Sequence, residues 1–107
     1  MKNKNKKPEN IKYYNESKKK IKDILLKNLP GNVKIYLFGS GVTDYHSFNA
    51  DIDVAILPEQ DFNDNSIVKI KEIIEESSIP FKVDIVDLRN VDDNFKKIAF
   101  KKVKQWR

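Results

Sequence analysis

The stretch FGSGVTDYHSFNADIDVAIL, residues 38–57, decides how this chain is read. A Gly-Ser pair closes one apolar run, a polar loop follows, and two aspartates then open a second run, DIDVAIL. Burying one carboxylate is costly, and two on the same face repel each other unless a proton or a cation stands between them. The spacing therefore asks for a partner that neutralises both.

Working outward, the neighbouring segments read as a small α/β (α+β) domain. Residues 10–29 place Ile11, Tyr14, Ile21, Ile24, Leu25 and Leu29 at three- and four-residue intervals, which predicts an amphipathic helix with a lysine-rich outer face. Pro30 and Gly31 stop it. VKIYLF, residues 33–38, is β-branched and aromatic and predicts a first strand, and DIDVAIL predicts a second. A polar connection leads to a helix over about 66–77, capped by Asn65 or Ser66, with Ile67, Ile70 and Ile74 on one face. FKVDIVDL, residues 81–88, predicts a third strand, a short helix follows over 92–101, and KVKQW adds a last strand or edge. Residues 1–9 are expected to be a basic disordered tail, and 10–107 a single domain.

Side-chain parity sorts the strands into two faces. Val33, Ile35 and Leu37, then Ile52, Val54 and Ile56, then Val83 and Ile85 form the apolar face. The opposite face carries Lys34 and Tyr36, then Asp51 and Asp53, then Lys82 and Asp84. The expectation is a small mixed sheet with helices packed on one face and an open face that carries the carboxylates. Asp51 and Asp53 stand roughly 6.5–7 Å apart along such a strand, and a neighbouring strand lies about 4.8 Å away.

Charge is distributed unevenly. Residues 1–29 hold ten lysines against three acids, residues 30–95 five basic against thirteen acidic side chains, and residues 96–107 six basic side chains and no acid. An acidic middle between basic ends suits a cation-binding centre flanked by surfaces that attract phosphate or a partner. With no cysteine, neither a disulfide framework nor a thiolate metal site is available. No apolar run approaches the roughly 18–20 residues of a membrane span, and no apolar signal core follows the basic start. The expectation is a cytoplasmic protein with no membrane association.

Aspartates without cysteine, and with one histidine in the chain, select a hard, oxygen-preferring cation: Mg2+, or Mn2+ in its place. In phosphoryl chemistry two such ions bind the attacking and the leaving oxygen, and a further carboxylate takes the nucleophile's proton. Gly39 lets the backbone approach a phosphate closely, and Ser40 offers a hydroxyl. Each signal has a plain alternative. D-x-D occurs on surface strands, in calcium loops and in glycosyltransferases, most Gly-Ser turns only turn, and Asp84 alone is an ordinary strand carboxylate. His46, Tyr45 and Phe48 read as loop residues, Tyr13 and Tyr14 as packing for the first helix, and Trp106 as core edge or partner anchor.

Gly39-Ser40, ten residues, then Asp51-Ile52-Asp53 resembles the G-S-x10-D-x-D signature of minimal (MNT-type) nucleotidyltransferases of the DNA polymerase beta superfamily. VDIVDL, residues 83–88, is similar to that family's later strand, which aligns Asp84, not Asp87, with the third carboxylate. The resemblance implies that Asp51, Asp53 and Asp84 hold two Mg2+ ions and the triphosphate, and that Asp84 helps activate the acceptor hydroxyl. It implies that Gly39 and Ser40 cradle the terminal phosphates. Small stand-alone members of this family are often antitoxins paired with a HEPN-domain toxin, and some transfer AMP from ATP to a toxin tyrosine. The implied function is thus metal-dependent protein adenylylation by a type VII-like antitoxin that assembles with its partner. The family commonly carries arginine directly after Gly-Ser and again two positions later, where this chain has Gly41 and Thr43, and Asp44 replaces the next glycine. Two other readings stand beside it: an antitoxin that neutralises by binding alone, motivated by the missing arginines, and a nucleic-acid-binding module, motivated by the basic ends.

Overall fold

The computed structural model describes residues 3–38, 51–59 and 61–107. Elements follow in the order α1 (Asn3–Asn28), β1 (Lys34–Phe38), β2 (Ile52–Leu57), α2 (Asn65–Glu76), β3 (Val83–Asp87), a 3-10 turn (Leu88–Asn90), α3 (Asp93–Ala99) and β4 (Val103–Gln105). Every helix and strand expected from the pattern is present. The loop residues Gly39, Ser40, Gly41, Thr43, Asp44, Tyr45, His46 and Phe48 lie outside the described residues.

One boundary moves. The expected disordered tail is helical from Asn3, ahead of the predicted start at Asn10. The α2 cap also differs: Asp64 occupies the cap position, and the Asn63 side chain accepts from the Asn65 N–H at 2.9 Å. For α3, the Asp92 carboxylate accepts from the Phe95 N–H at 2.8 Å, as an N-cap should.

The strands form one sheet in the order β3-β2-β1-β4. β1 runs antiparallel to β2 and β4, while β2 and β3 are parallel and connected through α2. That crossover is what places the D-x-D strand beside the second carboxylate strand.

The main core lies on one face. Tyr14, Ile21 and Leu25 of α1, Leu29 just after it, and Ile70 and Ile74 of α2 pack on Ile35, Leu37, Ile52, Val54 and Ile56. Each such aliphatic side chain contributes roughly 1.5–3 kcal/mol on burial. Val83 and Ile85, on the edge strand, are only partly buried against this core, and so is Trp106. Tyr13 does not pack as its neighbour does; it is 49% exposed.

The second face is partly roofed. Phe38, Ala55 and Leu88 form a smaller core there, against which Val86, Ala99 and Val103 pack. The chain end fastens the sheet to α1: the Ile35 N–H donates to the Arg107 carbonyl at 2.9 Å, and the Trp106 N–H donates to the Ile35 carbonyl at 2.7 Å. The Arg107 guanidinium donates to the Val33 carbonyl at 3.1 Å and to the carbonyls of Leu29 and Pro30, placing a cation at the end of the helix, where the macrodipole is negative.

Candidate active site

β2 begins beside the end of β1, with Asp53 opposite Phe38. On its other side Asp53 is the register partner of Asp84 on β3. Neighbours in register point to the same face, so the two carboxylates share the face that carries Phe38 and Ala55. Asp51 stands just before β2, two positions from Asp53 and on the same side by parity. The buried Tyr14 of α1 donates its hydroxyl to the Asp51 carbonyl at 3.2 Å, tying the entry of the D-x-D strand to the main core.

Electrostatics follow from this packing. Burial raises the Asp53 carboxyl above its ordinary value, and the charges of Asp84 and Asp51 push the same way. Lys82 opposes them, and the Asp84 side chain within hydrogen-bond reach adds a smaller upward push. Two carboxylates placed side by side are the donor set a hard divalent cation takes. Among the described residues, no group of three or more His, Cys, Asp or Glu side chains is gathered tightly enough to hold a metal ion by itself. That fits magnesium, which is commonly held by one or two carboxylates together with substrate phosphates rather than by an all-protein cage.

The structure therefore brings Asp53 and Asp84 together, with Asp51 within electrostatic reach of Asp53. Asp87 is committed elsewhere: Arg89 binds it through two nitrogens, which holds its carboxyl below the ordinary value. Gly39 and Ser40 lie outside the described residues.

A cleft of about 550 Å3 opens over the pair, lined by Phe38, Asp53, Asp84 and Val86 from the sheet and by Phe95, Ile98, Ala99 and Lys102 from α3 and the turn after it. Phe95 and Ile98 are 40% and 68% exposed, an apolar lip beside charged groups. Lys82, which parity already sets on this face, acts on Asp53 by its charge. The lining by α3 and Lys102 could not be read from the sequence, because it depends on how α3 folds back over the sheet.

A site of paired carboxylates on the open end of a mixed sheet belongs to a nucleotidyltransferase, and the chain is a member of that class. The polymerase beta nucleotidyltransferase family model matches residues 19–105, and the chain belongs to this family. Among individual relatives, a probable protein adenylyltransferase MntA from Haemophilus influenzae is 30% identical over 81 residues, covering 76% of this chain and 70% of that protein. A Shewanella oneidensis structure of a tri-AMPylated HEPN toxin in complex with an MNT antitoxin matches with a TM-score of 0.63 at 26% identity, over 88% of this chain and 71% of that one. A toxin–antitoxin structure with AMP-PNP matches with a TM-score of 0.63 at 28% identity, over 79% of this chain and 68% of that one. Among the described residues no helix is long and apolar enough to cross a membrane.

Proposed function

We propose that the chain transfers AMP from ATP to a hydroxyl of a partner protein, a tyrosine of a HEPN-domain toxin, and so acts as the antitoxin of a cytoplasmic pair. The observation that carries this reading is the Asp53–Asp84 register pair at the mouth of the cleft. The adenylyltransferase relative, the toxin–antitoxin complex with AMP-PNP and the complex holding an AMPylated toxin support both the nucleotide and the acceptor.

In this reading Asp51, Asp53 and Asp84 hold the divalent ions, Mg2+ or Mn2+, as a two-ion set. When bound, the ions neutralise the charge that builds up on the triphosphate and lower the pKa of the attacking hydroxyl. The chain's own residues do the rest. Asp84 accepts the hydroxyl proton, the hydroxyl oxygen forms its bond to the α-phosphorus, and the bond to the β-phosphate bridging oxygen breaks, so that pyrophosphate leaves. Asp53 and Asp51 orient the α-phosphate, and the Tyr14 bond to Asp51 keeps that end of β2 in place. Phe95, Ile98 and Phe38 limit water around the reacting groups. Gly39 and Ser40 hold the terminal phosphates.

The test is to mix the chain, magnesium and ATP labelled at the α-phosphate with the protein product of the adjacent gene and look for label on protein. Label on the partner that disappears with Asp53→Asn supports the reading. Full labelling by Asp53→Asn removes the carboxylate pair from the mechanism. A second reading, neutralisation by binding alone, rests on Gly41 and Thr43 in place of arginines. It expects an Asp51/Asp53 double variant to neutralise the partner fully.

A further inference from the structure

The row that contains the carboxylates crosses the whole sheet. Val103 on β4, Phe38 on β1, Asp53 on β2 and Asp84 on β3 are successive register partners. Lys102 immediately precedes Val103, so the turn from α3 into β4 delivers a lysine to the rim of this row. Its side chain lines the cleft that Asp53 and Asp84 line. Among the described residues no carboxylate forms an ion pair with it.

Lys34 shares the face of the carboxylate row but stands at the opposite end of β1 from Phe38. Residues 35–68, from the second residue of β1 through β2 to the start of α2, contain neither lysine nor arginine. A polyanion bound at the carboxylate pair must draw its cations from other elements. Lys82 acts on Asp53 and lines a groove with Lys71, Glu75 and Asp84, on the β3 flank of the pair. Lys102 stands on the other flank. β4 lies two strands from β2, about 10 Å at the usual spacing, a distance that a triphosphate and an extended lysine side chain bridge between them.

We propose that Lys102 binds the terminal phosphates of the nucleoside triphosphate in this cleft, a binding residue supplied by the basic C-terminal segment. The proposal rests on the nucleotidyltransferase reading. A lysine ammonium is a compact point charge on a flexible stem and suits a phosphate chain that must leave as pyrophosphate.

Calorimetric titration of the full chain with AMP-PNP and with AMP, each with magnesium, tests this. Lys102→Ala is expected to weaken AMP-PNP binding about tenfold, the loss typical of one charge-assisted contact, while AMP binding stays at the wild-type level. Lys102→Arg is expected to restore AMP-PNP affinity, and Lys104→Ala to leave both ligands unaffected. Lys102 is exposed, and unchanged thermal melts would show the variants folded. Wild-type AMP-PNP affinity in Lys102→Ala, or equal losses for AMP and AMP-PNP, would overturn the role of Lys102 and leave the enzyme reading standing. Failure of the wild-type chain to bind AMP-PNP at all would overturn both.

Discussion

Asp53 and Asp84 face each other as register partners across the parallel β2–β3 ladder, and burial keeps Asp53 from ionising at its ordinary pH. The sheet thus carries, at the centre of its acidic face, two like charges that a fold selected for stability alone would avoid. Replacing Asp53 by asparagine removes the repulsion while keeping the shape. Asp53→Asn is expected to raise the melting temperature by a few degrees at neutral pH and to lower AMP transfer by about a hundredfold or more. Melting curves and pyrophosphate release on the same preparations check this. A variant that melts lower than wild type would mean that Asp53 stabilises the fold.

The raised Asp53 value also fixes a sign. A carboxyl whose folded value lies above its unfolded one contributes stability below the unfolded value and loses it as pH rises through the folded value. In chelator, wild type should lose stability relative to Asp53→Asn as pH climbs from the ordinary carboxylate range toward neutral. Added magnesium competes with protons for the pair, so the rise in melting temperature it produces should be larger at neutral pH than in mild acid. Equal magnesium shifts at both pH values would show that the ion binds elsewhere.

Tyr14 reaches from the helix layer to the site. Its ring is fully buried, edge-on to Phe81 at 5.0 Å between centroids, and its hydroxyl holds the Asp51 carbonyl. Tyr14→Phe keeps the packing and deletes that bond, at a cost of about 1 kcal/mol in stability. Activity should fall further than this loss suggests at low magnesium and recover as magnesium is raised, because Asp51 is displaced rather than removed. Urea unfolding together with a magnesium titration of transfer separates the two effects.

Much of this was legible in the chain itself. Parity alone put Asp51, Asp53 and Asp84 on one face and Ile52, Val54 and Ile56 on the other, because alternation on a half-buried sheet follows directly from strand geometry. Register was not legible. That Asp53 meets Asp84 depends on how α2 returns the chain to β3, a tertiary outcome that no local pattern encodes. The start of α1 at Asn3 was not legible, because the apolar spacing that marks the helix begins only at Ile11. Lys102 escaped notice because a basic tail gives no sign of which lysine meets the cleft. Asn63, rather than Asn65 or Ser66, serves the start of α2, while Asp64 at the cap position turns to Arg89.

Arg89 makes the last prediction, one about the scaffold. Its guanidinium grips Asp87 and reaches Asp64 at 2.6 Å and the Glu59 carbonyl at 3.4 Å, while it lies over the Phe62 ring at 5.6 Å. These contacts join the end of β3 to the connection between β2 and α2, on the crossover that sets the Asp53–Asp84 register. The arginine holds the Asp87 carboxyl down, so this pair contributes stability above the ordinary carboxylate range and loses it as pH falls through the folded value. Arg89→Ala should lower the melting temperature by a few degrees at neutral pH, and the gap from wild type should narrow on acidification. Asp87→Asn combined with Arg89→Met should recover part of the loss, because no half-buried charge is then left without its partner. If Arg89→Ala melts like wild type at neutral pH, the crossover is held by α2 packing through Ile70 and Ile74 and the ion pair is only a surface contact.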